Sequence, residues 1–290
     1  MFKGTLTAIV TPFRDGEVDE RALRDHIEWQ VQSGVDGIVP CGSTGESATL
    51  SHAEHERVIR ITVEQVRKRV PVVAGTGSNS TAEAIRLTAS AREMGADGAL
   101  LISPYYNKPT QDGIFKHYKT IATSVDLPLL VYNIPGRTGS NIAPETFARL
   151  AEVRNIVGVK EASGSMDQTS DILRLCGDRL TILSGDDALT VPLMALGAKG
   201  VIATIGNVMP REMHELAAAG LAGDFARARE IHYRMLPLMR ALFIETNPIP
   251  VKQALAFMGR CRNELRMPLV PMTAPAAEKL RAAMKELRLV

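Results

Sequence analysis

Residues Ile156-Val157-Gly158-Val159-Lys160 read as a strand with no polar face, four apolar positions in a row closed by a cation. A parallel strand covered on both faces is near-continuously apolar, whereas a half-exposed one alternates. Working outward, the same kind of run recurs. Strands are predicted over Leu6–Thr11, Gly37–Pro40, Val72–Gly75, Gly98–Ser103, Leu129–Asn133, Ile156–Lys160, Thr181–Ser184 and Val201–Ile205. Helical spacing lies between them, as in Arg21–Ser33, His52–Arg69, Thr81–Met94 and Pro144–Ala151. Pro71 and Pro128 open strands, where a missing N–H does least harm. Strand-then-helix repetition implies a parallel sheet with right-handed crossovers. Units of about 25–30 residues, eight times over, fit an α/β chain folded as a closed (β/α)8 TIM barrel. An open doubly wound sheet is the alternative, but no glycine-rich dinucleotide loop follows the first strand. After Pro210 the pattern is helical only, broken by Pro248-Ile249-Pro250 and Pro268–Pro271. The expected division is a barrel over residues 1–224 and a C-terminal helical extension over 225–290.

The chain has 290 residues and a net charge of +2 without basic clusters, which argues against nucleic acid as a partner. Cys41, Cys176 and Cys261 form an odd, widely spaced set, which fits reduced thiols in a cytosol better than a disulfide framework. Charges from Arg14 onward leave no signal-peptide core. The longest weakly charged stretch, Ala188 to Pro210, is interrupted by Pro192, Lys199 and glycines, so no membrane span is expected. A soluble cytoplasmic protein is the expectation.

Barrel active sites gather at the C-terminal ends of the strands. Lys160 stands at such an end. A buried ammonium is costly, its pKa falls, and a lysine neutral near pH 7 can form a Schiff base with a ketone. The competing reading is a strand-end lysine that reaches solvent. The second strand runs into Cys41-Gly42-Ser43-Thr44-Gly45-Glu46-Ser47, whose backbone N–H groups suit an anion and whose hydroxyls can relay a proton. An ordinary turn capped by Ser51 and Glu54 explains less of it, because Gly42–Glu46 are left over. The fourth strand ends in Ser103-Pro104-Tyr105-Tyr106-Asn107-Lys108-Pro109, a stiff loop carrying phenols that either work or simply pack. The fifth ends in Tyr132-Asn133-Ile134-Pro135-Gly136-Arg137-Thr138-Gly139. Its arginine fork suits a carboxylate, unless it only bonds loop carbonyls.

Neighbouring strands lie roughly 4.8 Å apart, so Tyr132 and Lys160 can meet, with Ser43 and Thr44 across the barrel. Amine, phenol, anion loop and arginine around one cup suit a keto acid. Ser184-Gly185-Asp186-Asp187 after the seventh strand would repel a phosphate, and only His52 and His55 share a helix face, with no third metal ligand. Neither a metal nor a cofactor is expected.

Taken together, Gly42-Ser43-Thr44-Gly45-Glu46, Tyr132–Gly139 and Gly158-Val159-Lys160-Glu161 resemble the pyruvate-dependent class I aldolase family, which includes the N-acetylneuraminate lyases. Pro104-Tyr105-Tyr106-Asn107 and Asn247-Pro248-Ile249-Pro250-Val251-Lys252 extend the resemblance over essentially the whole chain. It implies that Lys160 forms an imine with pyruvate and that the derived enamine attacks aspartate 4-semialdehyde. The product would be 4-hydroxy-tetrahydrodipicolinate, on the diaminopimelate and lysine route. Tyr132, Ser43 and Tyr106 would relay protons, with Tyr106 reaching in from a neighbouring subunit of a homotetramer built from two tight dimers. Thr44 would hold the pyruvate carboxylate, Arg137 that of the semialdehyde, and Gly185 and Ile202 would line the pocket. Ser43 departs from the threonine usual in that branch and is similar to the sugar-acid lyases, which cleave sialic acids to pyruvate; Arg137 points the other way. Ser47, Ala48, His52, His55, Asn79, Glu83 and Tyr105 resemble a lysine-feedback site, with a polar dimer interface as the alternative.

Overall fold

The computed structural model describes residues 2–290. Eight parallel strands form the centre: β1 Gly4–Ala8, β2 Gly37–Val39, β3 Val73–Gly75, β4 Gly98–Ile102, β5 Leu129–Asn133, β6 Ile156–Glu161, β7 Thr181–Ser184 and β8 Gly200–Ala203. Around the sheet the order is β2-β1-β8-β7-β6-β5-β4-β3. The ring closes between β2 and β3 through the Ile38–Val72 bridge and a 2.9 Å bond from the Gly75 N–H to the Pro40 carbonyl. This is the (β/α)8 barrel that the apolar runs predict.

Helices α1 Glu20–Gln32, α2 His52–Val66, α3 Thr81–Glu93, α4 Gln111–Ser124, α5 Pro144–Leu150, α6 Met166–Cys176, α7 Thr190–Leu196 and α8 Pro210–Leu221 follow the strands in turn. Strand side chains alternate between two cores. Leu6, Ala8, Val39, Val73, Leu100, Leu130, Tyr132, Leu183 and Ile202 fill the barrel interior. Val131, Val159, Leu101 and Ile182 pack outward with Tyr118, Phe147 and Ile172 of the helices. Burial on both sides is why the strands lack polar faces.

Boundaries differ from expectation in three informative places. β1 begins at Gly4, because backbone pairing of Gly4–Thr7 with Gly200–Ala203, rather than the apolar run, fixes the ladder. α2 ends at Val66 because Arg67 and Lys68 take positive φ, and the Arg67 N–H closes on Val63. A short antiparallel hairpin, Phe13–Arg14 with Glu17–Val18, precedes α1. Its turn, Asp15-Gly16, has φ of 55° and 84°, the combination a two-residue hairpin needs.

After Gly223 come α9 Phe225–Ala241, α10 Ile249–Phe257 and α11 Ala274–Glu286. Met235, Leu238, Leu255 and Leu280 share one core with Val10 and with Val201 and Ala203 of β8. No helix among the described residues is long and apolar enough to cross a membrane.

Candidate active site

Register does the first part of the assembly. Tyr132 on β5 lies opposite Lys160 on β6, and Lys160 lies opposite Leu183 on β7. The Lys160 Nζ stands 4.3 Å from the centroid of the Tyr132 ring. Lys160 is only 7 % exposed, and no ion pair or hydrogen bond holds its amine among the described residues. Burial therefore lowers its pKa from 10.5 to about 8, with Asp187 pulling it back up and Arg137 pushing it further down. The Tyr132 phenol is moved the other way by the same burial, up to about 12, against a smaller opposing pull from Arg137. Amine and phenol thus sit side by side, one made easier to deprotonate and the other harder.

The turn after β7 presses on this amine. A Cβ on Gly185 would stand 3.1 Å from the Lys160 Cγ and 2.6 Å from the Ala162 Cβ, so glycine is what lets the chain pass. Two residues on, the fully buried Asp187 carboxylate accepts from the N–H groups of Thr204 (3.1 Å) and Ile205 (2.7 Å) beyond β8. Burial raises its pKa to about 6 in spite of those bonds. At pH 7 it is a mainly ionised anion beside Lys160.

Above the strand ends lies a cleft of about 500 Å³, whose walls include Ser43, Tyr132 and Arg137. Lys160, Thr44, Gly185 and Ile202 are not among the residues that line the cleft; Lys160 sits behind its wall, against Tyr132. The Thr44 Oγ1 accepts from the Asn247 side chain (2.9 Å), and the Asn247 carbonyl accepts from the Arg137 Nη2 (2.9 Å). Among the described residues no hydrogen bond joins Ser43 to either tyrosine.

Six of the residues expected at a feedback site, Ser47, Ala48, His52, His55, Glu83 and Tyr105, line the outer part of the same cleft. Asn79 joins them through its amide, 3.2 Å from the Tyr105 carbonyl. Glu83 accepts from the Ser78 hydroxyl and contacts the His52 Nε2 at 3.0 Å, and these two bonds hold its pKa below the usual carboxylate range. His55 donates Nε2–H to the Gly75 carbonyl (2.8 Å) and stays neutral because burial lowers its pKa.

Tyr106 is different. It is 87 % exposed, at the tip of a turn closed by the Asn107 N–H on the Tyr105 carbonyl (2.9 Å), with φ of 72°. A non-glycine residue in that region is strained. It is not among the residues that line the cleft with Tyr132.

The model of the dihydrodipicolinate synthetase family matches residues 1–287. The chain belongs to the dihydrodipicolinate synthetase family. The 4-hydroxy-tetrahydrodipicolinate synthase of Syntrophus aciditrophicus is 60 % identical, over 100 % of both chains. The crystal structure of the chloride-inhibited dihydrodipicolinate synthase of Acinetobacter baumannii complexed with pyruvate superposes with a TM-score of 0.99 at 44 % identity, covering 100 % of each chain. That of the Cyanidioschyzon merolae enzyme with lysine bound gives 0.97 at 41 %, covering 100 % of this chain and 99 % of that one.

In this chain the C-terminal extension, which by sequence alone reads as packing on the barrel, also contributes to the cleft. Thr246, Asn247, Pro248, Pro268 and Leu269 line it. Glu46, at the end of the anion loop, is buried in an ion pair with Lys252 and accepts from the Arg266 N–H at 3.0 Å. The capping box Ser51–Glu54 is present, and Glu54 also pairs with Arg266. Segment Asn247–Lys252 carries both the amide and the cation, but nothing local to it names their partners, Thr44 and Glu46. Asp187 has a local sign in the sequence, a second carboxylate after the β7 glycine.

Proposed function

We propose that this chain condenses pyruvate with aspartate 4-semialdehyde to 4-hydroxy-tetrahydrodipicolinate through a Schiff base on Lys160, in the cytoplasm and on the diaminopimelate and lysine route. The observation that carries the reading is the Lys160–Tyr132 pair, a desolvated amine 4.3 Å from the ring of a phenol that stays protonated. With its pKa near 8, roughly one Lys160 in ten is neutral at pH 7, against about one in three thousand for an ordinary lysine. That free amine adds to the pyruvate ketone. The carbinolamine oxygen must leave as water, which needs a proton, and Tyr132 with a raised pKa is a donor before it is an acceptor. Loss of a methyl proton gives the enamine, which attacks the aldehyde carbon, and the amino group of the semialdehyde unit then displaces the Lys160 amine from the imine carbon, closing the ring and freeing the lysine. Asp187 supplies a fixed negative charge beside the cationic imine. Thr44 holds the pyruvate carboxylate, and Arg137 holds that of the semialdehyde. Gly185 and Ile202 shape the pocket floor. The synthase names of full-length relatives support this reading over a sugar-acid lyase.

Ser43 completes the relay, and the exposed Tyr106 serves a neighbouring copy in a homo-oligomer, a tetramer of two tight dimers. The strained, outward presentation of Tyr106 supports this. The test is borohydride reduction in the presence of pyruvate followed by peptide mass mapping. The adduct is expected on Lys160, and its initial rate should rise about fifty-fold between pH 6 and pH 8 as the amine loses its proton. A rate flat across that range, or a label elsewhere, overturns the mechanism.

The outer cleft around His52 and Glu83 is proposed to take lysine as a feedback inhibitor, its ammonium against the Glu83 carboxylate. Ser47, Ala48, His55, Asn79 and Tyr105 line its seat. Millimolar lysine is expected to inhibit, and Glu83→Gln should raise the inhibitory concentration about ten-fold or more, the loss of one charge-assisted bond. Rates unchanged by lysine remove this claim.

A further inference from the structure

Asn247 touches both carboxylate seats, yet it belongs to neither of their loops. Thr44 comes from the segment after β2, Arg137 from the turn after β5, and Asn247 stands two residues before α10. Its side-chain N–H donates to the Thr44 Oγ1 and its carbonyl accepts from Arg137, both at 2.9 Å. The residue is 6 % exposed and lines the cleft.

A hydroxyl has one proton and two lone pairs. With the amide N–H on one lone pair, the Thr44 proton has no other partner among the described residues and is left to donate. The hydroxyl is thereby presented as a donor, the polarity a carboxylate requires. The Asn247 Oδ1 is itself buried without a partner, which a residue kept only to fill space would avoid. The Thr44 loop is tied to the extension a second time, two positions after Thr44 and five after Asn247, through the buried Glu46–Lys252 pair.

We propose that Asn247 is a positioning residue for the pyruvate seat: its amide holds the Thr44 hydroxyl as a donor, and its carbonyl ties the Arg137 turn to the same point. The proposal rests on the reading of Thr44 and Arg137 given above. Its test is steady-state kinetics of Thr44→Val, Asn247→Leu, Asn247→Asp and the Thr44→Val/Asn247→Leu pair.

Asn247→Leu is expected to raise the KM for pyruvate about ten-fold. Its kcat and its KM for the aldehyde should stay within about two-fold, because the backbone carbonyl still meets Arg137. The isosteric Asn247→Asp draws the Thr44 proton to itself and should raise the pyruvate KM further, roughly a hundred-fold. In the Thr44→Val background the leucine substitution should add less than two-fold. If Thr44→Val leaves the pyruvate KM unchanged, the reading of Thr44 falls and this inference with it. If Thr44→Val raises it while neither Asn247 variant does, or if the effects multiply in the pair, the inference alone is overturned.

Discussion

Lys160→Met is expected to abolish the reducible adduct and, at pH 7, to melt several degrees above the wild type. The two effects share one cause. The Lys160 pKa of about 8 lies below the 10.5 of an unhindered lysine because burial penalises its charge. Between those values the unfolded chain binds more protons than the folded one, so stability rises with pH through that window. Below about pH 8 both states are protonated and the whole cost is present, roughly 3 kcal/mol. Methionine matches the length of the stem, has no charge to desolvate and suits an irregular apolar gap. The cation–π contact with Tyr132 is given up, which returns about 1–2 kcal/mol. A net gain of about 1–2 kcal/mol corresponds to a few degrees in a chain of this size. Thermal melts at pH 7 and pH 10 test it. The gap between variant and wild type should narrow toward pH 10 as the wild-type amine discharges. A gap that is absent at pH 7, or that widens with pH, counts against a desolvated lysine.

The strand order and the meeting of Tyr132 with Lys160 were legible for a physical reason. A parallel strand buried on both faces must be apolar along its length, so β5 and β6 stand out as runs, and their last residues are forced to the same end of the barrel. Where the run and the ladder part company, as at β1, the boundary was missed, because hydrogen-bond pairing leaves no mark on side-chain chemistry. The Asp15-Gly16 hairpin carries a plain turn signal, but its two-residue strands are too short to show a period in the sequence. Residues far apart in sequence were the least legible. Glu46 and Lys252, or Thr44 and Asn247, are joined only by the folded chain, and no periodicity or spacing encodes such a pair. The extension therefore read as packing, although it closes one side of the cleft and holds the anion loop from behind.

That hold gives the second large effect. Lys252 is fully buried; its amine pairs with Glu46, donates to the Glu264 carbonyl (2.8 Å) and lies 4.0 Å from the centroid of Phe13. Burial still lowers its pKa despite the Glu46 carboxylate, so desolvation outweighs the attraction and the pair adds little net stability. Removing one partner is another matter. Lys252→Met leaves the Glu46 carboxylate buried with only the Arg266 N–H (3.0 Å) to satisfy it. The expected loss is about 3–5 kcal/mol, a third or more of a typical domain's stability. Adding Glu46→Gln removes the stranded charge and should return most of that loss. Urea unfolding of the two single variants and the pair decides it, and single-variant losses that simply add would show that the two side chains act independently. Because Glu46 closes the loop that carries Ser43 and Thr44, the restored double variant should still bind pyruvate several-fold more weakly than wild type. A double variant with both wild-type stability and wild-type pyruvate KM would mean that the buried pair does not hold the anion loop in shape.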